Sequence, residues 1–484
     1  MARRSLLFHS AVYVVGQFVS KAFGFVLLLV YARFLQPDDF GITGTMAAYN
    51  QILSTCLALG LSGSVFKHYF ENKDDPAALR SYLTSVFVFQ VLVSLVAVGL
   101  LDVLGASPWQ RLTSGSIPFH PYVRLTLWVT FVGAITTIPQ TVYQAQERSG
   151  AVVAMQLFQG LAVVAIGVVF VALMRQRAIG VLRTQLASGC LLAVIFGGLF
   201  ARQWWSPHVS WKHIRRALHF GLPLMPHAIG SVLMQTVDRT MLEKYAPLAQ
   251  VGQYSIAMTL GMILATVAGG INQAWSPHFL RTMQEEPEAE AQGKARTFAA
   301  LYVGLLAILS LGGGLFAREL VGVILGREYL PAVPYLVPFI IGNLIAAFYY
   351  LPANQLFLAG KTTWFLFATA TATVVSIVLN LWFLPRGGGG MAAAWIFAAG
   401  TALQATIVLA AAVRFETFRL LRWRHGLVLA AAAVPLYLVG ETAPWWTRAA
   451  ILCALVAFAY ALVLRGNFAA IFPQVLRRRL HGIE

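Results

Sequence analysis

Apolar runs of roughly 18 to 28 residues recur along the whole chain, each separated from the next by a short polar stretch. A run of that length crosses about 30 Å of hydrocarbon at 1.5 Å per residue. The pattern predicts about fourteen spanning helices, near 6–34, 41–66, 81–105, 122–146, 150–174, 180–201, 219–244, 252–280, 297–317, 333–358, 364–385, 391–413, 426–440 and 447–465. The short alternating strands of an outer-membrane barrel are absent from the sequence. The first run follows a basic start, MARRS, and continues unbroken from Leu6 to Leu35. It is too long for a signal-peptide core and carries no small-residue cleavage signal, so it reads as the first span.

The polar stretches set the expected topology. With the amino terminus inside, the inner connections hold roughly 22 Lys and Arg against roughly 12 on the outer ends, which places both termini in the cytoplasm. No connection exceeds about 20 residues, so an extramembrane catalytic domain has no room. The stretch RQWWSPHVSWKHIRRALHF at 202–220 interleaves Trp204, Trp205 and Trp211 with Lys212, Arg215 and Arg216, as suits a helix at the headgroup level; RFETFRLLRWRHG at 414–426 has the same character. The acidic piece QEEPEAEAQGKAR at 284–296 reads as a solvated inner loop.

Composition sharpens this picture. Of 484 residues 58% are hydrophobic and 11% charged, a balance that no single soluble core accommodates. Cys56, Cys190 and Cys453 each stand alone in an apolar run, which fits neither a disulfide framework nor a zinc site. The net charge of +17 gathers in the short connections, the signature of orientation and of anionic headgroups rather than of nucleic acid. No metal, nucleotide or nucleophile motif is present, and no cofactor is expected.

An internal repeat is legible as well. VYARFLQPDDFG from Val30 aligns with TVDRTMLEKYAPLAQVG from Thr236: a span ends in an arginine, a polar loop follows, and a glycine opens the next span. Arg33 then corresponds to Arg239 and Gly41 to Gly252, the glycines lying 211 residues apart. The division that follows is 1–201 (helices 1–6), 202–413 (the connection and helices 7–12) and 414–484 (two further helices and a basic tail). The fold class is an all-α integral membrane protein with two pseudo-symmetric six-helix lobes around a central cavity, plus two C-terminal helices.

Charges inside the spans are candidates for function, because each costs on the order of 2.5–3.5 kcal/mol near mid-membrane. Lys21, Asp238 and Arg239 qualify. Residues i and i+1 of a helix point about 100° apart, so Asp238 and Arg239 look to different neighbours. Two readings of the arginines stand side by side. Arg33 and Arg239 face each other at the outer mouth of a cavity and grip a diphosphate, with Lys21 deeper on the same path; or both snorkel to headgroups while Asp238 ties its helix to another. Gln17, Asn50, Gln51, His227, Gln235, Asn272, Gln273, Tyr349 and Asn354 form a polar layer that bridges helices or lines a wet cavity.

Three stretches carry a family resemblance. GLPLMPHAIGSVLMQTVDRTMLEKYAPLAQVGQYSIA at 221–257 resembles the opening of the second half of Wzx-type polysaccharide biosynthesis flippases, members of the multidrug/oligosaccharidyl-lipid/polysaccharide exporter superfamily. YARFLQPDDFG at 31–41 and LNLWFLPRGGGGMAAAW at 379–395 are similar to the end of that family's first helix and to its eleventh, although the run of four glycines is richer than usual. The resemblance implies a bacterial inner-membrane flippase, not an enzyme. Its cargo would be an undecaprenyl-diphosphate-linked oligosaccharide for O-antigen, exopolysaccharide or capsule assembly, with membrane lipids and polysaccharide polymerase machinery as partners and no nucleic acid. A lipid II flippase is the nearest alternative. A cation-coupled drug exporter is disfavoured, because no Asp or Glu precedes Asp38 and Lys21 would repel a cationic drug.

Overall fold

The computed structural model describes residues 23–72, 75–146, 149–415, 423–438 and 443–461, and the described residues fold almost wholly as helices with no strand among them. Among the described residues ten helical stretches are long and apolar enough to cross a membrane. The protein is a multi-pass membrane protein.

The chain forms two compact units, the first comprising residues 1–255 and 377–393, the second 256–376 and 394–484. In the first unit α1 (residues 23–31) leads through a turn into α2 (Pro37–Ala58), α3 (Leu61–Glu71), α4 (Pro76–Leu104) and the short α5 (Ala106–Leu112). It continues with α6 (Arg124–Ala145), α7 (Ser149–Gly167), α8 (Arg177–Trp204), α9 (Trp211–Gly221) and α10 (Met225–Tyr245). It also takes in the first residues of α11 (Leu248–Glu285).

The second unit holds the rest of α11, then α12 (Glu288–Leu315), α13 (Ala317–Ile324), α14 (Val333–Phe348) and α15 (Tyr350–Leu358). Most of α16 (Thr363–Phe383) and α17 (Gly389–Phe415) follow, with α18 (Trp423–Leu438) and α19 (Trp445–Ala459) at the end.

Local chemistry explains the helix starts. Pro37 and Pro76 occupy first helical positions, where a missing N–H costs nothing. The Asp39 carboxylate accepts the Gln36 N–H at 2.9 Å, and Asp75 accepts those of Ala77 and Ala78 at 3.2 and 3.0 Å.

Two expectations from the sequence need correction. The second span does not run through 41–66: Leu59 and Gly60 both adopt left-handed backbone (φ 49° and 65°) and separate α2 from α3. The cause is packing from far along the chain. A Cβ on Gly60 would meet the Gly221 carbonyl carbon at 2.7 Å, so only glycine allows the two backbones to touch there. Likewise the acidic stretch 284–296 is not a loop. Only Glu286 and Pro287 interrupt helix, and Lys294 folds back onto Glu286 (2.6 Å) and Glu290 (2.8 Å).

Within the second unit α12 is the central helix, with 61% of its apolar window buried, and α14, α18 and α19 pack on it. The contact with α18 and α19 is fastened by charge as well as by grease. Arg448 of α19, 5% exposed, donates to the Leu315 carbonyl at 2.7 Å and to Glu319 of α13 at 2.9 Å, with a second guanidinium bond to the same carboxylate. This is the forked geometry that suits arginine and carboxylate. It holds the Glu319 carboxyl below the usual carboxylate range.

Candidate functional site

The clearest polar feature on a spanning helix lies along α10. His227, Ser231, Gln235 and Arg239 recur every four residues and so form a continuous ridge on one side of the helix. Its members are linked to the backbone of the ridge itself: Gln235 Nε2 donates to the Ser231 carbonyl at 3.3 Å, and Arg239 Nη2 to the Gln235 carbonyl at 3.4 Å. His227 and Gln235 are exposed, Arg239 partly buried. The Arg239 Nε is shut away from solvent and has no acceptor among the described residues. A charged donor left unsatisfied in this way is costly and is suited to a ligand that brings oxygens with it.

Asp238 points elsewhere. It is 2% exposed and accepts a hydrogen bond from the hydroxyl of Tyr254 on α11, itself fully buried, while its second oxygen has no hydrogen-bond partner. The neighbouring acid and base on α10 therefore serve different surroundings, the carboxylate tying α10 to α11 and the guanidinium remaining with the ridge.

The repeat-related glycines meet. A Cβ on Gly41 would lie 3.2 Å from the Gly252 nitrogen, and one on Gly252 would lie 2.9 Å from the Gly41 nitrogen. The backbones of α2 and α11 therefore touch at this crossing, which only residues without a Cβ allow. Arg33 and Arg239 precede these glycines in their respective repeats. Arg33 sits exposed in the turn after α1, its side chain without a hydrogen bond or ion pair among the described residues.

The remaining predicted residues divide by environment. Asn50 accepts from Thr130 of α6 at 2.7 Å and so bridges two helices of the first unit; Gln51 beside it is exposed. In the second unit Asn354 of α15 donates to Asn272 of α11 at 2.9 Å, Gln273 is exposed, and Tyr349 packs edge-on to Tyr350 with ring centres 6.1 Å apart. Gln17 and Lys21 lie outside the described residues.

Sequence reasoning missed Glu243. It lies near the end of α10, is 0% exposed, and one of its oxygens accepts the hydroxyls of Ser114 (2.6 Å) and Ser116 (2.9 Å) from the loop after α5. Nothing in the run 219–244 sets it apart from an ordinary polar helix end, because its serine partners come from a distant loop. Asp39 is comparable: 4% exposed, it takes the Arg177 Nε at 3.0 Å and so ties the start of α2 to the start of α8.

The model of the family described as polysaccharide biosynthesis protein matches residues 6–283, more than half of the chain. The chain belongs to the polysaccharide biosynthesis protein family. This family member is 20% identical over 384 residues to the Lsg locus putative protein 1 of Haemophilus influenzae, covering 76% of this chain and 88% of that one. Its fold is similar to that of the lipid II flippase MurJ in an inward closed conformation, with a TM-score of 0.73 at 12% identity over 94% of this chain and 99% of that chain. It is also similar to an inward-facing multidrug resistance MATE family transporter of the MOP superfamily, with a TM-score of 0.63 at 13% identity over 82% and 94% of the two chains. The polysaccharide biosynthesis protein thus has the fold of membrane flippases and transporters.

Proposed function

We propose that this polysaccharide biosynthesis protein is a flippase carrying a polyprenyl-diphosphate-linked oligosaccharide from the cytoplasmic to the outer leaflet of the bacterial inner membrane. The observation that carries this reading is the α10 ridge ending in Arg239, whose buried Nε lacks an acceptor. A diphosphate supplies several anionic oxygens, which a guanidinium grips through paired hydrogen bonds. In this reading Arg33, aligned with Arg239 in the sequence repeat, is its counterpart in gripping the diphosphate, and Lys21 belongs to the same positive path. His227, Gln235 and Gln273 are exposed on spanning helices; polar groups there are costly against acyl chains and are relieved by a water-filled path, to which Gln51, exposed on α2, adds a further amide. Amides of this kind and the Tyr349 ring suit the sugar hydroxyls and faces. The polyprenyl tail stays in lipid throughout. Rocking of the two repeats, residues 1–201 and 202–413, supplies alternating access, with both termini cytoplasmic.

Deleting the gene tests the reading. Lipid-linked repeat units should accumulate on the cytoplasmic leaflet and surface polysaccharide should disappear. Normal surface polysaccharide in the deletion strain would reject it.

A further inference from the structure

The ridge on α10 leaves another cationic feature unused, at the other end of the same helical stretch. Helix α9 continues through one 3-10 turn, Leu222–Leu224, into α10, giving a helical stretch of 35 residues from Trp211 to Tyr245. At 1.5 Å per residue it is about 52 Å long, against roughly 30 Å of hydrocarbon, so its first turns emerge among the headgroups.

One face of α9 is fastened to the first unit. Ile214, Ala217 and Gly221 are buried, and Gly221 packs on Gly60. Ser210 N–H donates to Ser85 at 2.9 Å, and the Lys67 ammonium lies 5.0 Å from the centre of the Phe220 ring. The opposite face is only lightly contacted, Trp211 meeting the Phe89 ring of α4 edge-on with ring centres 6.4 Å apart. Trp211, Lys212, Arg215, Arg216, His219 and Leu222 line a concavity of about 650 Å³ open to one side. Trp211 is 67% exposed and Leu222 49%. The acidic group that approaches this face is Glu71, 3.8 Å from Arg216 and already shared with Lys67 at 3.7 Å. Arg215 has no hydrogen bond or ion pair among the described residues.

We infer that this concavity is a binding site for an anionic phospholipid headgroup, and that a two-phosphate lipid of the cardiolipin type binds it more tightly than a one-phosphate lipid. Three permanent cations within two helical turns match closely spaced phosphates. The exposed indole and leucine beside them suit the glycerol and upper acyl region, which a soluble anion would not need.

The test is lipid titration of the purified full chain in a zwitterionic detergent, read by native mass spectrometry. Cardiolipin, phosphatidylglycerol, phosphatidylcholine and inorganic diphosphate are the probes. The expected order of affinity is cardiolipin, then phosphatidylglycerol, then phosphatidylcholine, with inorganic diphosphate not competing. The triple variant K212Q/R215Q/R216Q should bind cardiolipin at least about tenfold more weakly. Arg202→Gln, an exposed basic residue that does not line the concavity, should stay within twofold of wild type. If the triple variant fails to fold, Arg215→Gln alone, which breaks no contact in the protein, should weaken cardiolipin about threefold. Equal binding of phosphatidylcholine and cardiolipin, undiminished binding in the variants, or displacement by inorganic diphosphate would each overturn the assignment.

Discussion

Arg239 is the residue on which the transport account turns, because it combines a permanent charge, burial and a donor with no acceptor. Arg239→Gln should lower transport by about 10- to 100-fold, the value of one charge-assisted pair to phosphate at roughly 1.5–3 kcal/mol. Arg239→Lys should recover only part of that, since an ammonium cannot grip two oxygens in the arginine fork. Both are checked by transport at matched expression. Glu243 belongs to a different class, since its fully buried carboxylate holds down a loop rather than cargo. Glu243→Ala leaves the Ser114 and Ser116 hydroxyls without their acceptor and should cost about 1–3 kcal/mol of stability, with Glu243→Gln costing less, both read by thermal unfolding in detergent. The sequence displayed Asp238 and Arg239 openly, as charges in the middle of an apolar run. It concealed Glu243 and Arg448, because charges near the ends of spans are ordinary and only the packed structure shows these two to be enclosed.

Among the elements, the crossing of α2 and α11 is the most constrained. Their backbones touch at Gly41 and Gly252, so Gly252→Ala must force the helices apart, a misfit of about 1–3 kcal/mol or more. Gly293→Ala, on a helix face with open space around it, should be neutral or slightly stabilising. Thermal unfolding of the two variants provides the comparison. The docking of α19 should depend on pH through Glu319. Arg448 depresses the folded carboxyl below its unfolded value, so the pair's contribution is complete above the unfolded carboxylate range, near pH 4.3, and is lost as pH falls through the folded value. Glu319→Gln should remove that acid-side loss from the unfolding curve of the solubilised protein. Helix existence was legible from hydrophobic run length. The break at Leu59 and Gly60 was not, since its cause, the Gly221 backbone, arrives from far along the chain. Nor was the helical state of the acidic stretch around Lys294, where ion pairs to Glu286 and Glu290 favour a fold that composition alone reads as solvated loop.

For the whole molecule, the chain belongs to the polysaccharide biosynthesis protein family and has the fold of membrane flippases and transporters, while the proposed cargo rests on the cationic, polar face of α10. The most direct measurement reconstitutes the purified protein in proteoliposomes and follows the crossing of a polyprenyl-diphosphate-linked oligosaccharide between leaflets. Wild type should carry it, and single Gln replacements of Lys21, Arg33 and Arg239 should slow it, Arg239 by at least about tenfold. Crossing at the wild-type rate in all three variants would contradict the account.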